Sequence, residues 1–185
     1  MSSIVAPVAP DQAPLLARPY YANGAPGPIA GTMAHVPELL DVAMPFIGAA
    51  LGPGAVSARL KEIAVLRASA LLECDYCVRS HTVVALDEGL VHAEVRALRD
   101  SGPAEDAFTV DRERALVAWV DELATGRGAV DPVVEARMAE HFAAAEIVEL
   151  TLVTTTTMML NRYCTALGLP VSATVAERLS AEGLA

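Results

Sequence analysis

The chain of 185 residues is long enough for one domain with a substantial core, or for one domain and an arm, and this length argues against two full domains. Its residues are 54% hydrophobic and only 19% charged, which excludes disorder for most of the chain and favours oligomers, because little polar surface remains. A formal net charge of −10 argues against nucleic acid and anionic lipid as partners, since their phosphates would be repelled.

The first 34 residues are rich in proline, glycine and alanine, and the repeated prolines prevent a continuous helix. We therefore predict an extended arm over residues 1–34 and a single domain over residues 35–185. The N-terminal sequence lacks the basic residues and the unbroken apolar core of a secretory signal. No later stretch reaches the ~20 apolar residues that span a bilayer. The prediction is a cytoplasmic protein without membrane contact.

The spacing of apolar residues, N-cap residues and glycine or proline breakers predicts an all-α domain. The run Thr154–Thr157 has strand propensity, but charges and apolar residues at helical spacing surround it, so we expect it to lie within a long helix. In chain order, the predicted helices cover about residues 36–47, 58–71, 74–89, 92–99, 111–124, 132–142, 146–167 and 172 onward.

The segment E-C-D-Y-C-V-R-S-H places Cys74, Cys77 and His81 on one stripe of a helix, because their offsets are three and four. A helix N-terminus favours a thiolate, and a neighbouring cysteine can condense with a sulfenic acid, which is the chemistry of peroxide reduction. His81 can relay a proton, and Glu62 can join that relay if its helix packs antiparallel. Cys77 is the preferred nucleophile because it is nearer to His81, although in other CxxC oxidoreductases the first cysteine, here Cys74, is often the nucleophile.

A longer pattern resembles a known family. The string from Leu60 to Arg67, followed by Cys74-Asp75-Tyr76-Cys77 and Ser80-His81, is similar to the core motif of alkyl hydroperoxidase D-like proteins in the carboxymuconolactone decarboxylase superfamily. The resemblance covers about residues 36–170. It implies an all-helical bundle that assembles as trimers or hexamers, with Glu62, Cys74, Cys77 and His81 in the proton-relay and redox positions.

The predicted function is a thiol peroxidase that takes a hydroperoxide as substrate and an external dithiol or disulfide reductase as electron donor, with no cofactor and no metal. Tyr76 departs from the antioxidant branch of the family, which carries a histidine at this point. It is a candidate for the substrate pocket, with packing as the other interpretation.

Two alternatives remain open at this stage. Cys74, Cys77 and His81, with Glu62 or Cys164, could bind zinc in a non-enzymatic oligomeric module. A lactone decarboxylase is the other, although such a reaction needs no dithiol. Outside the zinc alternative, we expect Cys164 to be a core residue.

Overall fold

The computed structural model describes residues 3–100 and 102–185, and this part of the chain contains helices and no β-strand. Each predicted helix is present, and the threonine-rich segment lies inside the longest one, so the predicted all-α class is confirmed. The α-helices are α1 (Pro28–Met33), α2 (Pro37–Leu51), α3 (Ala58–Leu71), α4 (Asp75–Asp87), α5 (His92–Arg99), α6 (Asp111–Thr125), α7 (Pro132–His141), α8 (Ala144–Leu167) and α9 (Ala173–Ala181).

The N-terminal segment differs from the extended arm that the prolines predict. It contains two short 3₁₀-helices, Pro10–Gln12 and Leu15–Tyr21, followed by α1. Prolines at the first turn of a helix cost little, because the N–H they lack has no partner there. Small side chains of this segment pack a local core against Leu40 of α2, and these are Ala13, Ala17, Ala30 and Ala34 with Tyr21. The prediction was wrong because proline breaks long helices but is compatible with short ones.

Helix α3 lies at the centre of the main core and packs against α4, α5, α6 and α8. Every residue from Leu60 to Ala70 is buried, which a helix requires when neighbours cover it on all sides. This position matters for the site, because polar side chains on α3 then lie in the interior, where each of them needs a partner.

Two buried cations on α3 are paired with carboxylates from neighbouring helices. Arg67 is 2% exposed, and its Nη2 donates to Oδ2 of Asp121 on α6 at 2.9 Å. Its guanidinium also donates to two loop carbonyl groups. The Nζ atom of Lys61 lies 2.6 Å from Oε1 of Glu149 on α8. These pairs fix the position of α3 against the helices on either side of it.

The turn between α3 and α4 positions the reactive segment. Glu73 has a φ of 53°, in the left-handed region, and this conformation ends α3. For a residue other than glycine it costs about 1 kcal/mol. The backbone N–H of Cys74 bonds back to the carbonyl of Ser69 at 3.0 Å, and Cys74 then occupies the N-cap position of α4. The chain therefore reverses direction directly before the first cysteine.

Within the described ranges, the structure contains no helix with the length and apolar character that crossing a membrane would require.

Candidate active site

Three cysteine sulfurs meet where the start of α4 contacts the end of α8. Cys74 is the N-cap residue of α4, Cys77 lies in its first turn, and Cys164 lies in the last turn of α8. The Sγ atoms of Cys74 and Cys77 are 2.7 Å apart, and all three Sγ atoms lie within 4.8 Å of one another. All three thiols are free. The structure therefore brings the two predicted redox cysteines together and adds a third.

The sulfur cluster lies beneath a cavity of about 520 Å³. Cys74 and Cys164 line this cavity together with Tyr76 and Arg79, whereas Cys77 is not among its lining residues. The wall also contains the acidic residues Glu73 and Asp75. Its apolar part comes from Leu169, Pro170 and Val171, between α8 and α9, and from Ala176 of α9. All three cysteines are buried, and Cys74 and Cys164 are the two that line this cavity.

The three thiols do not share the same affinity for a proton. Hydrogen bonds from the thiols of Cys164 and Cys77 lower the pKa of Cys74 to about 3, and the backbone N–H of Cys77 contributes to the same effect. For Cys77, a hydrogen bond from Cys164 favours the thiolate, but its hydrogen bond to Cys74 and its burial outweigh this and raise its pKa to about 12. The hydrogen bonds from Cys164 to Cys74 and Cys77, and burial, raise the pKa of Cys164. Negative charge in the cluster therefore resides on Cys74.

The position of this charge predicts the pH dependence of alkylation. A thiol with an ordinary pKa loses about tenfold in rate for each pH unit below its pKa, because only the thiolate reacts. With a pKa near 3, Cys74 stays deprotonated between about pH 5 and pH 8, so its alkylation by iodoacetamide should change by less than about threefold. Peptide mapping by mass spectrometry measures this rate, and the urea-unfolded chain is the control. A tenfold fall per pH unit in the folded protein would contradict the assignment.

Glu62 and His81 form the predicted pair. The Nδ1 atom of His81 on α4 lies 2.9 Å from Oε2 of Glu62 on α3. Because the carboxylate accepts at Nδ1, that nitrogen carries a proton and Nε2 remains as the basic atom of the ring. His81 follows Cys77 by one helical turn. In the described part of the chain, no hydrogen bond joins the ring to a sulfur, so any proton transfer between them needs a water molecule or a side-chain movement.

Helix α8 contributes residues that the sequence interpretation did not place in the site. Asn161 is fully buried, donates to Oγ of Ser69 at 2.9 Å and leaves its own Oδ1 without a protein partner. Asn161 faces Cys77, and Thr165 faces Cys74. The spacing of Asn161, Cys164 and Thr165, at offsets of three and four, is a sequence signal for one helical face and could have indicated them.

The structure assembles a different metal-ligand set from the zinc alternative raised above. His81 is engaged with Glu62, while Cys164 joins the two cysteines of the CxxC motif. The three sulfurs are the residues that could hold a thiophilic metal ion.

Comparison with known families supports the family suggested by the motif. Residues 37–122 match the model of the carboxymuconolactone decarboxylase family. This region includes α2 to α5, most of α6 and all of the predicted site residues. The match covers slightly less than half of the chain, and it supports the resemblance to the alkyl hydroperoxidase D-like and carboxymuconolactone decarboxylase superfamily that the motif indicates. No protein of curated function matches the sequence.

Several solved structures share the fold. A protein of unknown function from Agrobacterium tumefaciens, proposed to be the antioxidant defence protein AhpD, is 20% identical with a TM-score of 0.65, and the match covers 76% of this chain and 95% of that chain. The debrominase Bmp8 is 18% identical with a TM-score of 0.77 and 97% coverage of both chains. A peroxidase-related protein from Ralstonia eutropha JMP134 is 18% identical with a TM-score of 0.74, covering 91% and 95%. Such identities establish the common fold.

Proposed function

We propose that this chain is a thiol-dependent peroxidase that reduces hydroperoxides through Cys74 and Cys77, with Glu62 and His81 as the proton relay. The main support for this proposal is the distance of 2.7 Å between the Sγ atoms of Cys74 and Cys77, together with the position of Cys74 on the wall of a cavity. A dithiol in this arrangement can accept one oxygen atom and close to a disulfide. The similarity of residues 37–122 to the carboxymuconolactone decarboxylase family supports the same chemistry.

In the first step, the Cys74 thiolate attacks the distal oxygen of the hydroperoxide. The S–O bond forms while the O–O bond breaks, and the leaving alkoxide takes a proton to become an alcohol. The products are the sulfenic acid of Cys74 and the alcohol. The lowered pKa of Cys74 and its place on the cavity wall support this residue over Cys77, which the sequence interpretation preferred.

In the second step, Cys77 attacks the sulfur of the sulfenic acid, and the disulfide forms with release of water. Cys77 must lose its proton for this attack, and its burial disfavours the thiolate. His81, one turn further along α4 and held by Glu62, is the base that we assign to this proton. An external dithiol or a disulfide reductase then returns both cysteines to thiols.

The cavity indicates the kind of substrate. The apolar side chains on its wall and Tyr76 suit a hydroperoxide with an organic substituent, while the cation of Arg79 lies there beside the carboxylate of Asp75. We assign Tyr76 to the substrate pocket on this basis. The reducing cytoplasm is the compartment that we propose, because a dithiol must be regenerated there between turnovers.

We also propose that the protein is a homo-oligomer, a trimer or a hexamer. Apolar side chains are exposed on two helices next to the core, with Leu39, Val42 and Phe46 on α2 and Val148, Leu152 and Met159 on α8. Exposed apolar patches of this kind commonly form contacts between subunits. We further propose that residues 35–185 form a single helical domain and that the N-terminal segment packs on it.

Steady-state consumption of an organic hydroperoxide tests the activity. The assay compares dithiol donors with a monothiol at equal thiol concentration, and the proposal expects turnover with a dithiol that ceases in the Cys74→Ser variant. Two further arms contain a lactone acid and a brominated pyrrole, because related proteins carry decarboxylase and debrominase names. Turnover of either compound without peroxide consumption would replace the proposed activity.

The proton relay gives a separate prediction. Glu62→Gln should lower peroxide turnover by about 10²-fold, because a glutamine cannot hold His81 as an effective base. The first step should continue, so in a Cys164→Ser background, where no third thiol can react with it, the sulfenic acid of Cys74 should accumulate and be trapped by dimedone. Glu113→Gln is the matched control, because Glu113 is also buried and paired but bonds to Arg59 at the N-terminal end of α3 and not to His81. Equal losses in both variants, or no trapped sulfenic acid, would remove Glu62 from the relay.

A further inference from the structure

The third cysteine points to an additional role at this site. We propose that Cys164 is a second resolving thiol, which forms an alternative disulfide with Cys74 at the cavity wall. This inference rests on the proposed function to the extent that a hydroperoxide is the oxidant. The pairing of the two thiols is independent of it and can be tested with another oxidant.

The geometry singles out the pair of Cys74 and Cys164. Their Sγ atoms lie within 4.8 Å of each other, so a rotation of one or both side chains brings them into bonding distance. Both residues line the cavity, whereas Cys77 does not. A disulfide between Cys74 and Cys164 would therefore lie at the cavity wall, which is the side from which an external dithiol can approach.

The surroundings of Cys164 differ from those of a cysteine that only fills a core. A core cysteine in an all-apolar environment contacts side chains that offer no reaction. Cys164 instead shares its cluster with the two redox sulfurs, and the same helical face carries Asn161 and Thr165 next to them. The backbone of α8 is regular here and ends at Gly168 in the left-handed conformation, so the thiol is held on a rigid element.

Two balanced routes lead to this disulfide. In the first, the thiol of Cys164 attacks the sulfenic acid of Cys74, and the S–S bond forms with release of water. In the second, Cys164 attacks the Cys74 sulfur of the Cys74–Cys77 disulfide. Cys77 leaves as a thiolate and takes up the proton that Cys164 has lost, so no further oxidant is needed. Either route places the disulfide between Cys74 and Cys164, the two cysteines that line the cavity.

A second resolving thiol would protect Cys74 from over-oxidation and would present the disulfide to the electron donor. Cys164 provides a second route by which the sulfenic acid can be removed before another hydroperoxide converts it to a sulfinic acid. The exchange also offers the electron donor a disulfide at the cavity wall.

The test uses the full chain with Cys77 replaced by serine and, in a second variant, by alanine. Each is treated with 4,4′-dithiodipyridine, which needs no peroxidase activity, and separately with one equivalent of an organic hydroperoxide. We expect the first reagent to release two thiopyridones per chain and to leave a disulfide between the peptides that contain Cys74 and Cys164. The double variant, Cys77→Ser with Cys164→Ser, should release one thiopyridone and keep the adduct on Cys74.

The outcomes separate this inference from the proposed function. A stable adduct on Cys74 with free Cys164, or no reaction of Cys74, in both single variants would overturn the inference. Formation of the disulfide by dithiodipyridine but not by hydroperoxide would support the thiol pair and count against the peroxidase. Sulfenic acid that persists in the hydroperoxide arm would support the peroxidase and overturn the role of Cys164 as a resolving thiol.

Discussion

Replacement of Cys74 by serine is expected to lower peroxide turnover by at least about 10³-fold, because the hydroxyl that replaces the thiolate is a poor nucleophile at neutral pH. The side chain differs by one atom, so the fold should be retained in this largely buried position. Peroxide consumption under single-turnover conditions measures the effect on the first step alone, without dependence on the electron donor.

Cys77→Ser is the matched control for this prediction. It removes the neighbouring sulfur but leaves the proposed nucleophile, so one equivalent of hydroperoxide should still be reduced in a single turnover. The opposite result, with the first reduction lost in Cys77→Ser and kept in Cys74→Ser, would assign the attack to Cys77. The sequence analysis favoured Cys77 as the nucleophile because it is nearer to His81.

The second large effect concerns stability. Asp121→Ala should lower the free energy of unfolding by about 3 kcal/mol, because it leaves the guanidinium of Arg67 buried without its counter-ion. Two carbonyl groups still accept from Arg67, but they do not neutralise its charge. Urea denaturation measures the change. The double variant Arg67→Met with Asp121→Leu should recover much of the loss, since it removes the buried charge together with its partner.

Asp87→Asn provides the control for burial. Asp87 makes two hydrogen bonds to Arg178, the same number as Asp121 makes to Arg67, but both side chains are exposed to solvent. Exposed ion pairs contribute little to stability, so this variant should unfold close to the midpoint of the parent protein. A loss as large as that of Asp121→Ala would contradict the view that the burial of Arg67 sets the magnitude.

The helices could be predicted from the sequence because their signals are local. Ser57 accepts from the N–H of Leu60, and Asp131 accepts from the N–H of Val133, as their positions before apolar runs predicted. Gly168 ends α8 in the left-handed conformation. The offsets of Cys74, Cys77 and His81 likewise needed only the helical repeat. Each of these inferences spans at most a few residues of chain.

What the sequence did not reveal depends on contacts between distant parts of the chain. Asn161 and Ser69, which bond beside the sulfur cluster, are 92 residues apart in sequence. Nothing near Cys164 in the sequence indicates that the end of α8 meets the start of α4. The N-terminal segment is a second example, because Ser3 and Ile4 bond to the carbonyl of Leu167. Such pairings are set by the packing of helices, which local patterns do not determine.

The most direct test of the central claim is mass spectrometry of the reduced protein after one equivalent of an organic hydroperoxide. The proposed chemistry predicts the loss of two hydrogen atoms from the chain and a disulfide that joins Cys74 to another cysteine of the cluster, with the hydroperoxide converted to its alcohol. Unchanged hydroperoxide and three free thiols after this treatment would show that the sulfur cluster is not a peroxidase site.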